Sequence, residues 1–387
     1  MPTMTSARQW PTSRLRAAFV MEQALGHVTH YRNLRSFADT QIYVQPTWLP
    51  IDFKVEGPTR LLPFFSTNWS VRASWRARRA LDAVDARNSF DALFFHTQVT
   101  SLFSIGLMSA VPTLISMDAT PINYDTLGWE YGHRPAGDGP VDRQKYRLNR
   151  RAFHAAVGLV TWSEWARRSL IDDYEVPRDK IRVITPGASP TFFEIGQARV
   201  TAPHRDKNDH MQLLFVGGDF QRKGGQMLLE LMRGPLGELC DLHLVTGANV
   251  PAQRNVFVYR GVQPNSDELR RLFSNADMFL FPTFADCLPV ALQEAAAAGL
   301  PAIATNVGAL PESITDRGTG LVVPPGDGRA LQAAVESLLV DQGRRVQMGR
   351  AAHALACRRF DARYNNQVLL DFLREVANSS HSMRRAA

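Results

Sequence analysis

The sequence predicts an α/β protein made of two doubly wound, Rossmann-like domains that face a central cleft. Short apolar runs alternate with longer helical patterns along the chain. The runs fall into two series of six, one on each side of a polar stretch. They are near-continuously apolar, as expected of parallel strands buried on both faces. With 387 residues, 45% hydrophobic and 21% charged, the chain has enough material for two or three domains with sizeable cores.

The first series places strands at 17–21, 42–44, 92–95, 113–117, 159–161 and 181–185. The second places them at 213–216, 242–245, 256–259, 278–281, 302–305 and 321–323. Between them lies IGQARVTAPHRDKNDH, residues 195–210, whose polarity reads as a linker. The expected organisation is an N-terminal domain over 1–194, a C-terminal domain over 211–360, and a last helix over 361–387 that packs back toward the N-terminal domain. All seven tryptophans precede the linker, so the two halves are expected to bind different things.

The composition narrows the function. Three unpatterned cysteines, without any C-x-x-C, argue against a zinc site or a disulfide framework and for a reducing compartment. No run approaches the roughly 18 apolar residues of a membrane span, and the N-terminal residues lack a signal-peptide core. The expected location is the cytoplasm. A net charge of +7 suits anionic partners in general and selects none.

Residues 278–326 carry the chemistry. A strand ends at Phe281-Pro282, a loop contains Asp286, and a helix begins near Leu288-Pro289 and stops at Gly299, with Pro301 beyond. The free N–H groups of that first turn, around Cys287, Leu288, Pro289 and Val290, form an anion site suited to a diphosphate. Asp286 reaches past the diphosphate, and Glu294, a turn and a half inside, faces the other end of the ligand. A carboxylate accepts from two vicinal hydroxyls, such as those of ribose. Taken singly, each carboxylate reads more simply as a solvated charge; the whole pattern does not.

D-x7-E followed by A-A-A-A-G-L-P, N-V-G-A-L-P-E and G-L-V-V-P-P-G-D resembles the donor site of family 4 retaining glycosyltransferases with the GT-B fold. That family typically shows E-x7-E, and Asp286 stands in place of its first glutamate. The resemblance implies a nucleotide-sugar donor as substrate, with Asp286 on the sugar and Glu294 on the ribose.

The stretch LLFVGGDFQRKGGQMLLEL adds a strand, a glycine-rich turn and a helix. Gly217 and Gly218 are expected to let the backbone turn tightly and approach a ligand. Arg222 and Lys223 gain nothing from a helix dipole that favours anions, so a diphosphate clamp explains them better than an exposed basic turn does. The family commonly carries an arginine where Gly218 stands. Neither a Walker loop nor a dinucleotide fingerprint is present.

In the N-terminal half, EQALGHVTHYRNL resembles the family's glycine loop and first helix, with Gly26 and His27 at the matching positions. Asp118 ends the fourth predicted strand, where the family often has His-Asp; Met117 takes the histidine's place. His96 reads more simply as a core histidine, and Ser163 as a helix N-cap. Arg72, Trp75, Arg76 and Arg79 share one helical face. That face reads as a peripheral contact with an anionic membrane or as a solvated helix whose Trp packs on the domain.

The reaction that the resemblance implies is transfer of a glycosyl group, with retention, to a glycan, lipid or small-molecule acceptor that the sequence does not identify. The diphosphate leaves under the charge of Arg222 and Lys223 and the helix N-terminus, and no metal or other cofactor is expected. The alternatives are an epimerase or phosphorylase on the same fold and a non-catalytic sugar-nucleotide binder. No nucleic-acid-binding module is recognisable.

Overall fold

The computed structural model describes residues 14–24, 26–53, 68–201 and 210–386. Its strands form two six-stranded sheets, all parallel. The first contains β1 (Leu15–Glu22), β2 (Val44–Ile51), β3 (Ala92–His96), β4 (Thr113–Met117), β5 (Gly158–Thr161) and β6 (Ile181–Val183), in the order β2-β1-β3-β4-β5-β6. The second contains β7 (Met211–Val216), β8 (Cys240–Val245), β9 (Val256–Tyr259), β10 (Met278–Phe281), β11 (Ala302–Thr305) and β12 (Gly320–Val323), in the order β12-β11-β10-β7-β8-β9. β3, β4 and β10, near the middle of the sheets, are buried along their whole length, as their unbroken apolar runs require.

The helices used below, labelled in chain order, are α1 (His27–Ala38), α2 (Trp69–Ala83), α3 (Glu164–Asp172), α4 (Pro190–Thr201), α5 (Gly225–Leu231), α6 (Val290–Ala297), α7 (Gln342–Arg359) and α8 (Ala362–Ala386). The predicted N-cap is present on α3, where the Ser163 hydroxyl accepts the Ala166 N–H at 3.1 Å.

Some expectations need correction. The strand predicted at 42–44 runs instead over Val44–Ile51, because Pro46 and Pro50 make the sequence read as a turn. β2 is the sheet edge, and its odd-numbered residues face β1: Leu15 N–H donates to Tyr43 and Gln23 N–H to Ile51. Both prolines therefore present their missing donor to the unpaired side, where it costs nothing.

The expected linker is displaced too. Its first residues, 195–201, are the last turns of α4, and residues 202–209 lie outside the described residues, as do residues 1–13. Phe192 of α4 belongs to the C-terminal core, and Arg199 donates to the carbonyls of Ala298, Ala276 and Phe273 at 2.9–3.0 Å. The chain thus enters the C-terminal domain before α4. It crosses back after α7: Leu369, Leu370, Phe372 and Leu373 of α8 pack with Phe19 and Phe94 of the first sheet.

The two crossings bind each other. Ala188 N–H donates to Phe360 O at 2.8 Å, and Ala362 N–H donates to Ala188 O at 3.2 Å. Gly187, between them, has φ +78°, and a Cβ there would lie 2.4 Å from Phe360 O. Only glycine fits that position.

The face read on α2 is also different in three dimensions. Arg72 is buried and donates to Phe53 O at 2.9 Å, Arg76 donates to Asp52 O at 2.7 Å, and the Arg79 guanidinium lies 4.8 Å from the Trp75 ring centroid. Two of its arginines thus engage residues 52–53 of the same chain. Among the described residues no helix is long and apolar enough to cross a membrane.

Candidate active site

The carboxyl ends of both sheets meet at one place, where ligands of open α/β sheets bind. On the C-terminal side, the predicted donor residues converge. Lys223 Nζ lies 3.2 Å and Arg222 Nη1 3.6 Å from Asp286 Oδ2. Arg222 also donates from Nε to Asp219 Oδ2 at 3.0 Å and from Nη1 to the carbonyl of Ala285. Asp286 and Arg222 are buried, so neither is the solvated charge that each resembled alone. Asp286 Oδ2 receives no well-directed hydrogen bond among the described residues and is held there by the charges of Lys223 and Arg222.

α6 begins at Val290, with Pro289 as N-cap and without a side-chain cap. Cys287 and Leu288, expected within its first turn, precede it, because Pro289 supplies no N–H and sits in extended geometry. Gly299, at φ +70°, follows its C-terminus as predicted. Burial pushes the Cys287 thiol well above its ordinary value, so it is an unreactive wall here.

Glu294 lies inside α6 and is 4% exposed. No hydrogen bond or ion pair reaches its carboxyl from the described residues, and burial raises it from 4.5 to about 7. A buried carboxyl without partners is costly, which is expected of a group kept for a ligand.

The glycines divide differently from expectation. Gly217 fills a narrow gap: a Cβ there would lie 2.7 Å from the Phe215 ring and 2.8 Å from Lys223 Cδ. Gly218 faces open space and has no steric need to be glycine, so a larger side chain fits there. The tight turn is made instead by Gly224, at φ +78°, where a Cβ would lie 2.0 Å from Pro282 O. Gly308 does the same on the other side, since a Cβ would meet Asp286 O at 2.1 Å. Gly224 lets the loop carrying Lys223 approach the segment that leads to Asp286, and Gly308 lets the loop after β11 close on Asp286 from the other side.

On the N-terminal side, Gly26 is the N-cap of α1 with open space beside it, and His27 starts the helix. His27 Nε2 lies 3.7 Å from Glu22 Oε1 and 3.8 Å from Asp118 Oδ2, while Nδ1 shares a hydrogen bond of 2.9 Å with His96 Nε2. Glu22 accepts the Thr97 hydroxyl at 2.5 Å. Burial pushes the Glu22 carboxyl up, against the pull of His27 and the Thr97 hydroxyl. His96 is fully buried, stacks on Trp162 at 5.3 Å, and is held well below the usual imidazole range by burial. Neighbouring His30 is pushed down to about 3 by the same cause.

His96 is therefore both a core histidine and the support of His27. Glu22 and Thr97 were not singled out from sequence. The available signal was position, since Glu22 ends β1 and Thr97 follows β3 on the edge that carries Asp118. Among the described residues no group of three or more His, Cys, Asp or Glu side chains is arranged to hold a metal.

Segments from opposite domains close over this site. The Tyr131 ring centroid lies 4.2 Å from the Arg222 guanidinium carbon. Trp162 packs with Leu288 and Ala309. Glu312, downstream of β11, accepts the backbone N–H groups of Glu164 and Trp165.

Two facing parallel α/β sheets with a charged carboxylate cluster in the cleft define a GT-B-type glycosyltransferase fold. Residues 210–341 match the family of group 1 glycosyl transferases and residues 7–187 the glycosyl transferase 4-like domain, and the chain belongs to this family. Similar proteins include the D-inositol 3-phosphate glycosyltransferases of Corynebacterium aurimucosum, 28% identical over 241 residues (57% of this chain and 57% of that one), and Paenarthrobacter aurescens, 27% identical over 284 residues (68% and 67%). The alignment thus spans under six-tenths of the length of the first of these relatives.

Among solved structures, sucrose-phosphate synthase from Thermosynechococcus elongatus superposes with a TM-score of 0.73 at 16% identity, covering 95% of this chain and all of the other. Anabaena HepE, solved in complex with UDP-glucose, gives 0.65 at 13%, covering 95% and 100%. At these identities the likeness concerns the fold.

Proposed function

We propose that the protein transfers a glycosyl group from a nucleoside-diphosphate sugar to an acceptor hydroxyl with retention. The observation that carries this reading is the pairing of Arg222 and Lys223 with Asp286 beside an uncapped helix N-terminus, with a partnerless carboxyl, Glu294, buried inside the same helix. Arg222, Lys223 and the first turn of α6 hold the diphosphate. Glu294 accepts from the ribose hydroxyls, and Asp286 accepts from the sugar. As the bond from the anomeric carbon to the phosphate oxygen breaks, that oxygen gains charge, and the fixed cations stabilise it.

The departing oxygen then takes the acceptor's proton on the face it has just left, so no protein nucleophile is required. His27 and Asp118 line the acceptor side. The names of the coryneform relatives make D-inositol 3-phosphate the first acceptor to try, alongside glycan and lipid acceptors.

The test is incubation of the purified chain with UDP-, ADP- and GDP-sugars and an acceptor panel. Expected products are free nucleoside diphosphate and a glycoside with the donor's anomeric configuration, read by proton coupling in NMR. Sugar 1-phosphate as the product would identify a phosphorylase instead. Absence of turnover with tight nucleotide-sugar binding would identify a binding protein.

A further inference from the structure

Arg222, which the reading above assigns to the diphosphate, is 5% exposed, and part of its cover comes from the opposite domain. Tyr131 ends the 3₁₀ turn Gly128–Tyr131 and lays its ring over the guanidinium, 4.2 Å from its centre. Its hydroxyl lies against the Cys287 thiol, just before α6. The turn is a small built unit. Gly132 closes it at φ +64°, His133 N–H donates to Gly128 O at 2.8 Å, and His133 Nε2 pairs with Asp125 at 2.7 Å. A Cβ on Gly128 would lie 2.9 Å from His133 O, so the turn requires that glycine.

The ring is not needed to hold Arg222. Asp219, the Ala285 carbonyl and Asp286 already engage the guanidinium along its edge, all from the C-terminal domain. What Tyr131 does is cover part of a cation that is only 5% exposed, so that a phosphate reaches the in-plane N–H donors of Arg222 only once the ring moves aside. We propose that Tyr131 is a gate on donor entry, covering Arg222 until the nucleotide displaces it; this rests on the donor reading given above. Displacement exchanges a cation–π contact for a charge-assisted contact with phosphate. The energy of the lost contact is taken out of the observed affinity, and opening limits the rate of association at high nucleotide concentration.

The test uses the full chain with UDP, ADP and GDP, each titrated by calorimetry and followed by stopped flow. For the nucleotide that binds, Tyr131→Ala should tighten Kd on the order of 3- to 30-fold, the range of a cation–π contact. The wild-type association rate should level off with concentration, and the variant's should rise linearly. Tyr131→Phe keeps the ring but loses the hydroxyl contact with Cys287, and should fall between wild type and Tyr131→Ala. Glu294→Gln tests the donor reading separately and should weaken the same nucleotide. If Glu294→Gln weakens binding while Tyr131→Ala binds equally or more weakly than wild type, the gate is wrong and the donor reading stands. If Tyr131→Ala fails to fold, a wild-type association rate that stays linear to saturation overturns the gate by itself. If none of the three nucleotides binds, or Glu294→Gln leaves binding unchanged, the donor reading fails and the gate with it.

Discussion

Glu312 of the C-terminal domain caps the helix that begins at Glu164 of the N-terminal domain. Its two carboxylate oxygens accept the N–H groups of Glu164 at 2.8 Å and Trp165 at 2.7 Å. Ser163 caps the next free donor from within the chain. Arg359 holds the Glu312 carbonyl at 2.9 Å, which fixes the clasp at its base. Two donors of a helix terminus, where unpaired N–H groups and the dipole both favour an anion, thus find their acceptor only while the two domains stay together.

Removing this clasp should loosen the domains without unfolding either one. Glu312→Ala removes both acceptors and should cost about 0.5–2 kcal/mol, the range of other helix caps. Small-angle scattering should show a larger radius of gyration, and melting should occur at a lower temperature. An unchanged radius with an unchanged melting temperature would mean that solvent caps the helix equally well.

Gly187 should tolerate no side chain. Gly187→Ala puts a methyl 2.4 Å from Phe360 O at φ +78°. Strained backbone of this kind costs about 1–3 kcal/mol before the clash is counted. Chemical denaturation should show a loss at least that large, and Gly218→Ala, in open space, should serve as the neutral comparison.

Glu294 makes stability and donor binding respond to pH in opposite senses. Its folded-state value of about 7 lies above the ordinary 4.5, so the folded protein binds the extra proton. The burial penalty is absent below about pH 4.5, grows as pH rises, and is complete above pH 7. Glu294→Gln should therefore stabilise the free protein at pH 8 by roughly 3 kcal/mol and hardly at all at pH 4.5. Donor binding, which needs the carboxylate as acceptor, should strengthen in the wild type between pH 6 and pH 8. In the variant it should be weaker by on the order of 10-fold at pH 8, with a flatter profile. Melting curves and calorimetry at the two pH values check both statements.

Lys223 gives a cleaner probe of the leaving group than Arg222. Lys223→Ala should lower kcat by roughly 10²-fold with a smaller effect on donor affinity, because its contact strengthens as charge develops. Arg222 is bound to Asp219 and the Ala285 carbonyl and is buried beside Asp286. Arg222→Ala would strand those partners and cost stability by about 3–5 kcal/mol, the cost of breaking a buried pair. Steady-state kinetics with circular dichroism on both variants separates the two effects. Wild-type kcat in Lys223→Ala would remove the lysine from the mechanism.

Asp286→Asn should act on sugar choice and nucleotide affinity together. It removes the counter-charge of Lys223 and one of the two carboxylates facing Arg222, while keeping the shape of the side chain. Free nucleoside diphosphate should then bind at least as tightly as to wild type, while discrimination among donor sugars relaxes. Competition kinetics with paired donors measures the second effect, and calorimetry the first. Retained donor selectivity would place the sugar contact elsewhere.

The sequence by itself determined the two sheets, the helix that carries Glu294 and the family, because these rest on local patterns. Apolar runs mark buried parallel strands, and Asp286-x7-Glu294 with its flanking Gly and Pro marks a strand, loop and helix. Edge strand β2 was placed too early and cut short because its prolines are unfavourable in isolation and become harmless only beside an unpaired edge. The end of the N-terminal domain was misplaced because polarity shows that a segment meets water, not which core its few apolar residues join; Phe192 settles that by packing.

Tertiary structure alone decided that Arg222, Lys223 and Asp286 form one charged cluster, that His96 supports His27, and that Tyr131 and Glu312 each reach across the cleft. These partners lie tens to more than a hundred residues apart. A sequence pattern reports the few neighbours that share a helix face or a turn, whereas charges pair through space once the chain has folded.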